Sequence, residues 1–191
     1  MTLRDDQMPG QQAHSLPGLT IRRATTDDIP AIRAFMLRIF EEDYGYGYQP
    51  RWHWDYDDVQ GVYLDNPRHV LFVVEDDVSG LLVGTAGVRA GGPAAPSLPH
   101  WLVERYRPPE RTAQIVRVFV HPEYRRRGIA RTLVDACRRF VRDVGGYEVI
   151  ALHSESAVDF WQTMPTVEVY DQRSAESPSG AVHFELAMLE G

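Results

Sequence analysis

Lysine is absent from this chain of 191 residues, and cysteine occurs once, as Cys137. Without lysine there is no Gly-Lys-Ser/Thr element of the Walker type, which disfavours a nucleotide-phosphate binder of another α/β class. A single cysteine excludes an internal disulfide and argues against a thiolate zinc site, so we interpret Cys137 as a small buried hydrophobic residue. No metal site is expected.

Long apolar runs are also missing. No segment approaches the ~20 consecutive apolar residues that span a bilayer, and residues 1–19 lack the apolar core of a signal peptide. We therefore expect a cytoplasmic protein without a membrane partner. The formal net charge of −7 argues against nucleic acid as a partner, because such binding depends on clustered basic residues that neutralise phosphates.

The apolar content that is present suffices for one folded domain. Hydrophobic residues make up 43% of the chain and charged residues 25%, as in average globular proteins. The length favours a single α/β domain, which we predict over residues 19–191. Residues 1–18 lack periodic apolar positions, so we expect a flexible N-terminal tail there.

Periodic apolar positions predict the helices and strands of this domain. Helical spacing indicates helices over residues 29–40 and 129–144, and a short one over 157–163. The prolines of residues 91–112 predict a long surface loop. Strands are expected at residues 19–23, 70–75, 81–90, 113–120, 148–152, 167–171 and 182–189.

The most informative segment joins the strand at residues 113–120 to the following helix. It reads Arg-Arg-Arg-Gly-Ile-Ala-Arg from position 125 to position 131. The first N–H groups of a helix lack intrahelical acceptors and lie at the positive end of its dipole, so they bind anions. Gly128 lets a ligand approach the backbone, and small Ala130 leaves the first turn open. This segment predicts a phosphate-binding loop, and the alternative is a solvated helix cap.

This loop resembles the acyl-CoA-binding signature of the GCN5-related N-acetyltransferase (GNAT) family. In that signature Arg or Gln, two residues and Gly are followed by one residue and then Gly or Ala. The flanking residues 118–124 and 131–134 match as well, and with the segments 21–32 and 72–87 the resemblance covers roughly residues 19–163. It implies a GNAT-like acyl-CoA N-acyltransferase fold of the α/β class, a mixed, mostly antiparallel sheet with helices on both faces.

The resemblance also implies which residues bind the cosubstrate. The end of the strand before the loop would offer backbone groups to the pantetheine arm, and the loop would hold the diphosphate. Ser154 and Trp161 stand where many relatives carry the Asn and Tyr of a motif near the CoA sulfur. The expected set is Val118, Phe119, Val120, Arg125, Arg126, Arg127, Gly128, Ile129, Ala130, Arg131, Ser154 and Trp161.

The resemblance does not identify the catalytic acid and base. Many relatives carry a Glu base on the strand before the loop, where this chain has Gln114 and Val116, neither of which can accept a proton. The indole of Trp161 cannot protonate a thiolate, so it is at most an electrostatic helper. His153 and Glu155 are the candidate acceptors of the amine proton. The alternative is catalysis by positioning alone.

An aromatic segment follows the first helix, in the region that lines the acceptor pocket in relatives. We expect Tyr44, Tyr46, Trp52 and Trp54 to bind a cationic amine on their ring faces, at ~0.5–2 kcal/mol for each close contact. The alternative is that these rings only cover the sheet.

The sequence therefore predicts an N-acetyltransferase. By its resemblance to the family, the enzyme would pass an acetyl group from acetyl-CoA, its cosubstrate, directly to an amine of a small molecule or peptide. Many relatives form homodimers, which makes a second copy of the chain a candidate partner. The rival interpretation is a catalytically silent acyl-CoA-binding regulatory module, because acid and base residues are missing from their usual positions.

Overall fold

The computed structural model describes residues 16–93, 98–174 and 180–189. Seven strands form one mixed sheet in the order β1-β2-β3-β4-β5-β7-β6, and β4 with β5 is the parallel pair. The fold class is therefore confirmed. The strands are β1 (Leu19–Arg23), β2 (Val70–Asp76), β3 (Leu82–Ala90), β4 (Thr112–Val120), β5 (Val149–Ser154), β6 (Thr166–Asp171) and β7 (Val182–Leu186).

Two long helices cover opposite faces of the sheet. Apolar residues of the first, among them Ile32 and Phe40, cluster with Leu71 and Val73 of β2, whereas Leu133 and Phe140 of the second pack against the other face, on β2, β3 and β4. Cys137 is fully buried on that second helix, as predicted. The helices are α1 (Ile29–Glu42), α2 (Trp54–Asp57), α3 (His100–Arg105), α4 (Ile129–Val144) and α5 (Val158–Gln162).

The predicted strands agree with the observed ones to within three residues at each end. The prediction of an irregular loop over residues 91–112 is wrong in part, because α3 lies inside it. Leu102 of α3 and the following Tyr106 are buried against Ala151 of β5. A helix of this length shows no clear period in sequence, and the neighbouring prolines conceal it.

The tail predicted over residues 1–18 lies mostly outside the described residues. Its last residues contact the fold, since Leu16 packs against the larger hydrophobic cluster. No helix in the described part of the chain is long and apolar enough to cross a membrane.

Candidate functional site

A gap opens in the sheet between β4 and β5. The two strands pair only where Thr112–Gln114 meets Val149–Ala151. Beyond this point, among the described strands, β4 pairs only with β3, and β5 pairs only with β7. The edges of β4 and β5 that face each other therefore have none of these strands between them. Backbone N–H and C=O groups on such edges can bind an extended amide-containing ligand in the way that they bind a further strand.

A β-bulge in β4 lies beside this gap. The register with β3 shifts between Thr85 and Gly87, and Arg117 on β4 has a positive φ of 55°. The Thr85 hydroxyl donates to the Arg117 carbonyl at 2.9 Å and so holds the bulge in place. Because a bulge bends its strand and re-aims a side chain, Arg117 reaches out of the sheet toward α2.

The loop from β4 to α4 carries a row of unpaired backbone donors. The N–H groups of residues 126–131 donate to no acceptor within the described residues, and the first paired amide is that of Thr132, which bonds the Gly128 carbonyl at 3.0 Å. Arg126 and Gly128 both have positive φ, 65° and 82°. Residues with this left-handed backbone conformation point successive N–H groups toward one place, and these groups form a concave anion-binding site. For Arg126 this conformation costs about 1–2 kcal/mol, which is typical of a functional loop.

The arginines of the loop divide into structural and free side chains. Arg125 donates to the Val120 carbonyl at 3.0 Å and pairs with Asp43, which joins the loop to β4 and to the end of α1. Arg127 bonds the Glu123 carbonyl, and Arg131 bonds Thr163. Of the residues that the structure describes, none pairs with the exposed Arg126 side chain, which is thus available to an anion.

The other residues predicted to bind the cosubstrate surround the gap. Val118, Phe119 and Val120 are half-buried on β4, whereas Ile129 is buried and can offer only its backbone. Half-buried Ala130 keeps the first turn of α4 narrow. The two remaining residues lie across the gap: the Ser154 hydroxyl accepts from the Ala157 amide at 3.0 Å, and Trp161 is buried in the core, edge-on to Phe160.

The aromatic segment predicted to bind the acceptor stands over the gap. Tyr44 contacts Phe119 of β4 edge-on, with centroids 6.2 Å apart, and Tyr46 lies 5.7 Å from Tyr44. Burial raises the pKa of Tyr44, and the nearby Glu155 carboxylate raises it further. Tyr44 therefore bridges from β4 toward the residues that follow β5. Trp52 packs edge-on against Tyr46 and is mostly exposed.

A buried ion pair, which the sequence did not reveal, fixes this segment to β4. Asp55 is 1% exposed and accepts from the Arg117 guanidinium and, at 2.5 Å, from the Tyr63 hydroxyl. Burial opposes the charge of Asp55, but the hydrogen bonds from Arg117 hold the carboxyl pKa below its ordinary value. Arg117 also donates to the Trp52 carbonyl at 2.7 Å. The available signal was a single charged residue, Arg117, in the strand.

A second arginine, Arg89 of β3, lies next to this pair. Its Nε donates to Oε1 of Gln114 at 3.1 Å, and its guanidinium lies over the Trp54 ring, 4.9 Å from the centroid. Gln114 therefore orients Arg89, and Trp54, one of the expected acceptor-binding residues, covers it. This arginine was also missed from sequence.

The two candidate bases lie at the end of β5. His153 is open to solvent but has protein on several sides, and this desolvation, aided by His183, Arg89 and Arg117, lowers its pKa from 6.5 to about 4. The His153 and His183 rings are 5.5 Å apart. Partial desolvation raises the pKa of Glu155, which makes it more basic than an ordinary carboxylate.

Two further features lie apart from the gap. A shallow depression of about 360 Å³ is lined by residues such as Arg23, Asn66 and Leu71, and by none of those predicted to bind a ligand. In the part of the chain that the structure describes, His, Cys, Asp and Glu side chains form no cluster of three or more that could hold a metal ion.

Known structures with this fold are acetyltransferases and related enzymes. A GNAT-family acetyltransferase from Staphylococcus aureus aligns with a TM-score of 0.66 at 15% identity, over 88% of this chain and 99% of its own. The ribosomal-protein-S18-alanine N-acetyltransferase of Escherichia coli aligns at 0.57 and 15%, over 91% and 96%. An N-acyl amino acid synthase from uncultured soil microbes aligns at 0.61 and 14%, over 88% and 90%. At these identities the similarity shows the fold alone.

The sequence itself gives the family. The model of the acetyltransferase (GNAT) family matches residues 33–164, well over half of the chain. This chain belongs to the acetyltransferase (GNAT) family, whose members use acyl-CoA cosubstrates. No curated protein matches it by sequence.

Proposed function

We propose that this protein is an N-acetyltransferase that transfers an acetyl group from acetyl-CoA directly to an amine of a small molecule or peptide. The observation that carries the proposal is the row of unpaired N–H groups at residues 126–131, at the start of α4 and at one end of the gap between β4 and β5. A diphosphate needs such donors, and the linear arm attached to it needs such a gap.

The residues of the loop and gap fit the parts of CoA. The diphosphate accepts from the amides of residues 126–131, and the Arg126 guanidinium adds a charge-assisted contact. The pantetheine arm contains two amides, which can pair with the inner edge of β4 from Val118 to Val120. Arg125, Arg127 and Arg131 hold the loop in shape through the contacts described above.

The reaction requires a neutral amine beside the thioester at the mouth of the gap. The amine nitrogen bonds to the acetyl carbon, the carbon–sulfur bond breaks, and the sulfur leaves as a thiolate while a base takes the amine proton. The lowered pKa of His153 keeps its lone pair free at neutral pH, although it also makes this imidazole a weaker base than an ordinary one. Glu155, with its raised pKa, is the second candidate. The aromatic residues Tyr44 to Trp54 form the wall on the acceptor side.

Structural relatives support an amine acceptor without selecting one. The names of two of them specify an alanine of a ribosomal protein and an amino acid. One scaffold thus serves acceptors of different size, since acceptor specificity resides in the variable segments around the site.

The direct test is release of CoA thiol from acetyl-CoA by the purified protein with a panel of amines. The panel contains amino acids, a polyamine, a peptide with N-terminal alanine and simple arylalkylamines, and calorimetry measures acetyl-CoA binding in parallel. We expect binding together with amine-dependent release for at least one class. Binding without release for any amine would favour the silent binding module, and absence of binding would overturn both interpretations.

A further inference from the structure

We propose that the acceptor carries a carboxylate close to its amine, as an amino acid does, and that the Arg89 guanidinium binds this carboxylate. The inference rests on the proposed function, since it names the substrate class of the same site. Within the described part of the chain, Arg89 has no carboxylate within hydrogen-bond distance.

Arg89 is a mostly enclosed cation with spare donors. Its side chain is 19% exposed. Of its five N–H groups, only Nε–H has a hydrogen-bond acceptor in residues 16–93, 98–174 and 180–189, namely Gln114. A desolvated guanidinium without an anion is unfavourable, so the position favours a ligand that supplies one.

The nearest carboxylate does not satisfy Arg89. Asp55 lies 4.0 Å away, beyond hydrogen-bond range, and its oxygens are already bound by Arg117 and by the Tyr63 hydroxyl. Two guanidinium groups therefore share one carboxylate. On β7, which lies beyond β4 and β5, the Glu185 carboxylate accepts from two nitrogens of Arg105 in a bidentate pair, at 2.6 and 3.0 Å.

The imidazoles around this point add no compensating charge. His153 and His183 both have lowered pKa values, so they are neutral at physiological pH, and Arg89 is one of the groups that disfavour protonation of His153. The acceptor side of the gap therefore has two guanidinium groups, Arg89 and Arg117, around one buried carboxylate, that of Asp55. A polyamine would be repelled from this point, whereas a carboxylate would be attracted.

Arg89 lies where it can bind the carboxylate of an acceptor whose amine is at the gap. Arg89 pairs in register with Gln114, and Gln114 with Ala151, at the point where the parallel pairing of β4 and β5 ends. His153 is two residues beyond Ala151 on the same face of the sheet. An amine directed at the gap near His153 thus leaves a carboxylate on the same molecule within reach of Arg89, whose planar fork matches it.

An exposed ring beside Arg89 favours an apolar side chain on this amino acid. Trp54 lies over the guanidinium and is 50% exposed, so part of its ring surface is accessible to a ligand. Phenylalanine is therefore the probe of choice.

The experiment compares acceptors that share the phenyl side chain and differ in the carboxylate, with rates expressed per neutral amine because the amine pKa differs among them. CoA release is measured with phenylalanine, phenylalaninamide and 2-phenylethylamine, for wild type, Arg89→Gln, Arg89→Lys and Arg142→Gln. Arg142 is a matched control, since it lies on α4 across the sheet and pairs with Asp143. We expect wild type and Arg142→Gln to prefer phenylalanine in kcat/KM by roughly 10- to 100-fold, as for a charge-assisted contact, mostly through KM.

Loss of that preference in Arg89→Gln is the expected result, read as the ratio of kcat/KM for phenylalanine to that for 2-phenylethylamine, because Arg89 also influences His153 and the absolute rates can change. Arg89→Lys should retain part of the preference because it keeps the charge but not the fork. Equal rates on all three amines in wild type, or a preference unchanged in Arg89→Gln, would overturn the inference and leave the proposed function intact.

A binding measurement separates this inference from catalysis. N-acetylphenylalanine is titrated into wild type and Arg89→Gln in the presence of CoA. Weaker binding to Arg89→Gln by at least about tenfold is expected. Equal binding would contradict the carboxylate site, whereas Arg89-dependent binding without turnover of any amine would refute only the enzyme.

Discussion

An imidazole beside a second imidazole and two guanidinium groups resists protonation, and His153 occupies such a position. Its lowered pKa follows from surrounding protein, His183, Arg89 and Arg117, none of which adjoins it in the chain. The residue type was visible in the sequence, but its charge state at neutral pH was not. At the residue scale, the surroundings decide whether this histidine can act as a base.

This effect should appear in the pH dependence of stability. The pKa of His153 is about 4 in the folded protein and 6.5 ordinarily, so between these values the unfolded chain binds a proton that the native state does not. The free energy of unfolding should therefore fall as the pH decreases through this window. In His153→Gln that contribution is absent, and urea denaturation at pH 7 and pH 5 should show a smaller loss than in wild type.

The matched control is His100→Gln, which removes a highly exposed histidine of α3. It should lose stability between the two pH values as wild type does. A His153→Gln variant with the same pH dependence as wild type would show that His153 titrates normally.

At the scale of elements, the Asp55–Arg117 pair attaches the aromatic segment to the bulge of β4. The two residues are 62 positions apart, so no spacing rule could associate them. The long helices and the strands were predictable because their periods are local. The short helix α3 was not, and neither was the gap, which depends on where the pairing of β4 and β5 ends. The phosphate loop could be identified because its residues are contiguous.

Removing the carboxylate from this pair should be costly. Asp55→Asn leaves Arg117 without its buried anion, and we expect a loss of about 3–5 kcal/mol in the free energy of unfolding, measured in urea. The Asn oxygen can still accept from Tyr63, but the amide nitrogen replaces the oxygen that accepts from the second Arg117 nitrogen, so a hydrogen bond is lost together with the charge.

The double variant Asp55→Asn, Arg117→Met provides the comparison. It removes one cation together with the carboxylate, so it should recover much of the lost stability. If the double variant were no more stable than Asp55→Asn alone, the buried charge would not be the cause of the loss.

At the scale of the whole molecule, the candidate site belongs to two parts of one sheet. The part with β3 and β4 supplies Arg89, Arg117 and the loop, and the part with β5 and β7 supplies His153 and His183. A short stretch of parallel pairing joins them. We propose that residues 19–191 act as one domain for this reason, since neither part contains the site alone.

Calorimetric titration of acetyl-CoA into wild type, Gly128→Leu and Gly80→Leu tests the central claim most directly. Both glycines have positive φ, 82° and 69°, so leucine strains both backbones by about 1–2 kcal/mol, and nothing closer than 3.9 Å obstructs a Cβ at either position. Gly128 lies within the row of unpaired amides, whereas Gly80 lies in the turn between β2 and β3. We predict that Gly80→Leu binds as wild type does and that Gly128→Leu, still folded, binds at least about 100-fold more weakly. Wild-type affinity in Gly128→Leu would contradict the account.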